Sequence, residues 1–343
     1  MPYKNNNYLV NFLENNNLIS KDKIKQLEKI ENLAIINPSI AIIKFTELIK
    51  GEKLDRLSKQ QLISSQKSFI KKSVYSDPKL IKSGLHIARI IFSHYAFFKN
   101  TNENNCSKLF YEDGIIKFYN YFNDQKHQQI KKAAAFFEIG PVHKIYNQNT
   151  IINNFNKNQP KELRNNTLKM KSDILKIIGR DTILNFRAKK LFDENTFFQR
   201  VNNIPDDNDH QKDTHSDVYF PALKFWYFPN KVDEGQGCLC IYPGSTKLTN
   251  ELLNLHYKKS IEVVLMNTEK LDINDQEGSF RVSEKELKDI GLNHQEVAVP
   301  GNTLVIANVF GFHRRGHTKE KTVRDSIHGS IRVDNPFNTS IFR

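Results

Sequence analysis

DTHSDVYF, residues 213–220, decides how this chain is read. His215 and Asp217 lie two residues apart, and on a β-strand such residues point to the same face. An imidazole and a carboxylate can therefore converge on one ion. A His-x-Asp pair alone says little in a chain with 11 histidines, so the reading depends on a second histidine delivered from elsewhere. Moving outward, the apolar run NTLVIANVF (302–310) leads into His313, 98 residues after His215 (313 − 215). That interval leaves room for several intervening strands. The competing His294-Gln295-Glu296 precedes His313 by only 19 residues (313 − 294), too few for the same crossings. His317 fits the register less well, being closer to the arginine discussed next.

Two histidines, one carboxylate and open coordination positions describe the facial triad of non-haem Fe(II) oxygenases. A cation completes the set. Arg324 follows His313 by eleven residues (324 − 313) in TVRDSIHGSIRV, where Arg324, Ser326 and His328 alternate onto one face. A guanidinium binds a carboxylate through two parallel hydrogen bonds and stays charged at every working pH. Beside an iron site it suits the distal carboxylate of 2-oxoglutarate, to which the Ser326 hydroxyl could add a bond. His86, His94, His127, His143 and His256 fall on predicted helices and read as structural or solvent-facing.

The rest of the chain divides in texture. Residues 18–98 carry apolar residues three or four apart, as in Leu18, Ile24, Leu27, Ile30 and Leu33, which predicts helices. Asn37-Pro38-Ser39 and Ser76-Asp77-Pro78 supply breaks and helix starts. KNTNENNCS (99–107) reads as a polar linker. GIIKFYNYF (114–122) reads as a strand, 125–139 as a helix, 147–166 as a polar connection and 167–179 as a helix. From about residue 195, short β-branched and aromatic runs separated by Gly, Pro, Asn and Asp predict an antiparallel sandwich or barrel. No repeat of solenoid length occurs.

Composition sets limits. The 343 residues are 38% hydrophobic and 26% charged with mean hydropathy −0.57, as for globular material. The longest apolar stretch, Leu33 to Ile43, is interrupted at 37–39, and nothing approaches the roughly 18–20 residues of a membrane helix. The first residues lack an apolar signal-peptide core, so cytoplasmic residence is the expectation. Three cysteines form no disulfide framework; Cys238 and Cys240, on one face of an apolar run, read as buried thiols. The net charge of +13 is spread lysine without a dense basic block, which argues against a nucleic-acid partner.

With these residues in view, the chain from Asp113-Gly114 to its end resembles the phytanoyl-CoA dioxygenase family of Fe(II)/2-oxoglutarate oxygenases. DGIIKFYNYF resembles the family's opening strand, HSD (215–217) its metal motif, and GCLCIYPGSTK (237–247) its glycine-rich strand and turn, with Thr246 where the family has His. PGNTLVIANVFGFH and Arg324 match its distal histidine and arginine. The resemblance implies an α+β fold, a double-stranded β-helix (jelly-roll) core over 108–343 with flanking helices; residues 1–107 lie outside it and read, from their apolar spacing, as a helical N-terminal extension. It implies Fe(II) on His215, Asp217 and His313, and 2-oxoglutarate on Arg324. QRVN (199–202) resembles the Arg-Val-Asn run of ectoine hydroxylases, which makes Asn202 a cosubstrate contact. Trp226 matches a family Trp beside the cosubstrate. Related halogenases lose the carboxylate that Asp217 retains, so hydroxylation or desaturation of a small molecule with dioxygen is the expected reaction.

Arg315, two residues after His313, shares the ligand's face if the strand persists and then calls for an anionic group on the substrate. If the strand ends at His313, Arg315 sits in solvent. Two other functional readings stand beside the oxygenase. One is a cupin-like metal protein without oxygenase activity, against which Arg324 argues. The other is a non-enzymatic interaction protein with basic helices.

Overall fold

A computed structural model describes residues 7–64, 74–98, 105–135, 144–146, 150–154, 161–178, 196–205, 210–268, 280–331 and 337. The N-terminal part is helical. Helices α1 (Tyr8–Asn15), α2 (Ile24–Ile36), α3 (Pro38–Lys50), α4 (Arg56–Ser64) and α5 (Pro78–Lys82) surround α6 (Leu85–Phe98). Asn37 and Asp77 cap α3 and α5 through their side chains, each with Pro at the first helical position, the pattern that satisfies free N–H groups at a helix start. All fourteen residues of α6 are buried, so this helix is the centre of the layer. Helix α7 (Asn105–Glu112) takes up the end of the expected polar linker; residues 99–104 lie outside the described ones.

The chain then enters two antiparallel sheets. Strand β1 (Ile115–Phe118) is followed by α8 (Asp124–Ala135), β2 (Lys144–Tyr146), β3 (Thr150–Asn154), α9 (Lys161–Ile178), β4 (Thr196–Asn203), β5 (His215–Ser216), β6 (Leu223–Phe228) and β7 (Leu239–Ile241). Next come α10 (Asn250–Thr268), β8 (Phe280–Arg281), α11 (Glu284–Asp289), β9 (Gln295–Val297), β10 (Thr303–Asn308), β11 (His313–Arg315) and β12 (Thr322–Ile331). The larger sheet has the order β1-β10-β6-β12-β4-β3-β2 and the smaller β8-β5-β11-β7-β9. From β4 to β7 the chain changes sheet at every strand, and it does so again from β9 to β12. The result is a jelly-roll-like pair of facing sheets.

Residues 147–166, expected as a polar connection, contain β3, which pairs with β4 from Thr150↔Val201 to Asn154↔Phe197. Asparagines flank Ile151 and Ile152 and disguise the strand; backbone pairing at the sheet's margin needs no apolar alternation. Helix α9 also starts earlier than the expected 167.

One apolar cluster runs without a break from Leu9, Phe45 and Phe92 to Trp226, Val305 and Phe310. Three polar side chains of α6 face the sheets. The His86 ring stacks on Phe280 at 6.2 Å, His94 meets Phe310 edge-on at 4.4 Å, and the Arg89 guanidinium lies between the rings of Tyr75 and Tyr219 at 3.7 and 3.4 Å. From α10, His256 stacks on Phe280, Phe310 and Phe312. Among the described residues neither ring nitrogen of His256 has a hydrogen-bond partner.

Burial pushes His94 and His256 down to about 3, and His86 also well down. Unfolded, each takes up a proton near its ordinary 6.5. The unfolded chain therefore binds more protons between about 6.5 and about 3, and stability falls as pH falls through that window. His256→Phe removes one such group and two unsatisfied nitrogens within an aromatic stack. The variant is expected to be at least as stable as wild type at pH 7.5. Its unfolding free energy, measured in urea, should fall less steeply toward pH 5, by up to about 1.4 kcal/mol per pH unit; an unchanged slope counts against a neutral buried His256.

Candidate metal centre

His215 and His313 are directly opposed across the β5–β11 ladder, which brings their rings to 4.6 Å. Asp217 follows β5, held by its backbone N–H to Val309 O at 3.0 Å. Ligand atoms of His215, Asp217 and His313 all lie within 4.8 Å of one another. The structure thus brings together the three residues that spacing picked out, and among the described residues this is the one such group able to hold a metal ion. His294 is not in it, and Glu296 instead accepts from Gly235 N and Cys238 Sγ. Cys238 and Cys240 are buried free thiols, as expected, and burial pushes both up to about 12.

The donor atoms are presented for a cation. The Nδ1 of His215 lies 2.7 Å from Asp213 O, and that of His313 lies 2.9 Å from Gly311 O. A carbonyl only accepts, so each Nδ1 carries the hydrogen and each neutral ring turns a lone pair inward at Nε2. Burial lowers both imidazoles, His215 to about 4, which keeps them neutral at physiological pH. Asp217 Oδ1 stands 3.6 Å from His215 Nε2 and 3.8 Å from His313 Nε2. Burial alone would raise the Asp217 carboxyl. The Lys224 ammonium leads the charges that outweigh burial and hold it well below the usual range, so it is a carboxylate. Two imidazole nitrogens and one carboxylate oxygen, with no fourth ligand among the described residues, suit a divalent transition metal with open positions.

A cleft between the sheets opens onto this group. Gln199, Lys224, Trp226, Leu239, Arg315, Arg324 and His328 line it. Arg324 is buried and donates from Nη1 to Gly237 O. Ser326, fully buried, shares its face, and its hydroxyl has no hydrogen-bond partner among the described residues. Trp226 stacks on His328 at 4.9 Å, as their pairing across β6 and β12 dictates. Strand β11 extends through Arg315, and that side chain lines the cleft.

Asn202 is not brought to the cleft. It pairs with Val323, which is 61% exposed, on the outer face where Arg200 and Asp325 form a two-bond ion pair at 2.7 and 2.8 Å. Its neighbour Asn203 pairs with Thr322 on the Arg324 face and donates to Gln236 O at 2.9 Å. Asn203 lies against Gly237, whose φ is +63°; a Cβ there would collide with the Asn203 carboxamide. A count of thirteen residues back from His215 does not carry the phase of the strand. Thr246 donates to Tyr111 O at 2.7 Å and packs on Gly114 and Gly311, so it fastens α7 to the turn before His313.

Lys224 and Gln199 were not singled out from sequence. Lys224 stands two residues before Trp226 on the same strand, so alternation from the tryptophan puts it on the cleft face. Gln199 faces Ser326 across β4 and β12, a register no single strand reveals.

No protein-family model matches the chain, and no curated relative matches its sequence. Similar solved structures include the non-heme alpha ketoglutarate dependent epimerase SnoN from nogalamycin biosynthesis (11% identity, 66% of this chain and 80% of that chain, TM-score 0.42). Another is EctD from S. alaskensis with 2-oxoglutarate and 5-hydroxyectoine (11%, 67% and 78%, 0.40). HygX from Streptomyces hygroscopicus with nickel and 2-oxoglutarate bound is a third (10%, 67% and 86%, 0.39).

Asn203→Ala removes a buried hydrogen bond and is expected to cost about 1–2 kcal/mol. Asn202→Ala on the outer face should stay within about 0.5 kcal/mol. Chemical denaturation of the two variants checks the assignment of faces; equal losses contradict it.

Proposed function

We propose that this chain is an Fe(II)- and 2-oxoglutarate-dependent dioxygenase of the phytanoyl-CoA dioxygenase type, hydroxylating a C–H bond of a small molecule. The observation that carries the reading is one cleft holding three inward-turned donor atoms and a buried arginine. The alternation of β4–β7 and β9–β12 between the sheets supports a double-stranded β-helix core over 108–343, with 1–107 as a helical extension that shares its hydrophobic interior.

Fe(II) with 2-oxoglutarate would supply the oxidising power: dioxygen, the cosubstrate and the C–H substrate would give succinate, CO2 and the hydroxylated substrate, one oxygen atom going to each organic product. His215, Asp217 and His313 would hold the metal. Their backbone-fixed tautomers keep the donors aimed without reorganisation. Arg324 would take the distal carboxylate of the cosubstrate, with Ser326 supplying a hydroxyl donor from the same strand face. Trp226, stacked on His328, would form a flat apolar wall that excludes water. Arg315 on the cleft wall supports a substrate bearing a carboxylate, phosphate or sulfate.

The test is succinate release on addition of Fe(II), 2-oxoglutarate and dioxygen, set beside anaerobic titration of both ligands. Replacing His215, Asp217 and His313 together with Ala should abolish Fe(II) binding; retention at wild-type strength contradicts the site. Arg324→Ala should weaken 2-oxoglutarate binding about 10- to 150-fold, the equivalent of roughly 1.5–3 kcal/mol, while leaving Fe(II) binding largely intact.

A further inference from the structure

Lys224 is an isolated cation in the run LKFWYF, whose other five members are buried. Its Nζ forms an ion pair with Asp217 Oδ2. Both side chains are largely shielded, with 21% and 13% exposure. Oδ1 of the same carboxylate faces the two imidazole Nε2 atoms. The two oxygens of Asp217 are therefore divided: one toward the metal position, one toward an ammonium. Among the described residues no donor other than Lys224 reaches Oδ2.

We propose that Lys224 is a positioning residue that restricts Asp217 to a single metal-binding oxygen. The proposal rests on the metal-site reading above. A carboxylate can give a metal one oxygen or two. Two would fill a further coordination position and leave one fewer for the other reactants. An ammonium bonded to Oδ2 opposes that second contact twice: it occupies the oxygen's lone pair, and it repels a divalent cation approaching the same atom. Strand β6 supplies the rigidity. Lys224 is registered against Ala307 on β10 and Ser330 on β12, so its stem rises from the interior of the larger sheet. Burying a charge there is costly unless it is paired, which keeps the ammonium on Asp217.

The sign of the effect sets Lys224 apart from a merely structural residue. Outer-sphere partners of metal ligands usually raise ligand basicity, and their loss weakens metal binding by about 10- to 100-fold. A lysine lowers the basicity of its carboxylate, so its loss should tighten metal binding while costing the cosubstrate a position.

The experiment uses the full chain loaded with Co(II), whose visible absorption reports coordination number, with calorimetry for Co(II) and then for 2-oxoglutarate. Lys224→Met is expected to bind Co(II) about 10-fold more tightly, with a changed absorption spectrum before any cosubstrate is added. It should then bind 2-oxoglutarate about 10-fold more weakly. Lys224→Gln, without the charge, should shift both affinities in the same directions and serves if the Met variant does not fold. Lys224→Arg, which keeps charge and donor, should retain the wild-type spectrum. A wild-type spectrum and affinity in both uncharged variants, or weaker Co(II) binding in them, overturns the proposal. A wild-type protein that takes up no Co(II) overturns the metal-site reading itself, and this proposal with it.

Discussion

The single pairing His215↔His313 organises everything around it. Direct opposition across antiparallel strands puts two Cβ atoms about 5 Å apart, and only then can two imidazoles share one focus. β11 reaches that position because it is inserted between β5 and β7. Asp217 joins because β5 ends after two residues and the chain is tied to Val309 just beyond β10. If the β5–β11 register slipped by one residue, one imidazole would turn to the opposite face. The backbone carbonyls of Asp213 and Gly311 then act on rings already in place, choosing the nitrogen each presents. Geometry between strands comes first, tautomer second and charge third.

Charge in the cleft follows from the same frame. The larger sheet supplies Lys224 and Arg324, the smaller His215, His313 and Arg315. The Asp217 carboxylate is the acidic member of the group that faces the cleft. A cleft so furnished has a strong bias toward anions even before a divalent cation is added. The bias is local: the chain's net +13 is spread widely, whereas these cations converge on one cavity. Lys224 is paired with Asp217, so its charge serves the ligand set more than the solvent-facing mouth.

Much of this was legible in the sequence. The alternating short runs after residue 195 foretold paired antiparallel sheets, and the spacing from His215 to His313 left room for the strands that lie between them. Arg324, Trp226 and Arg315 line the cleft, and Ser326 shares the Arg324 face, because strand alternation is a short-range rule that survives folding. What failed was phase carried across a gap. Asn202 sits one residue away from Asn203, which shares the Arg324 face, because register is set by pairing with β12, which a count from His215 does not contain. β3 escaped notice because its asparagines mimic a loop. The contacts of α6 with the sheets were invisible for a different reason: they join residues more than a hundred positions apart and leave no periodic trace in either segment.

The clamp of Tyr75 and Tyr219 on Arg89 ties the helical layer mechanically to the sheets. Tyr219 lies two residues beyond Asp217, while Arg89 and Tyr75 belong to the helical layer. A guanidinium deprived of either ring would be left buried against poorly matched walls. Cutting the chain between layer and sheets would therefore strip Arg89 of its sheet-side ring and uncover Tyr219, so the clamp acts as a rivet across the seam.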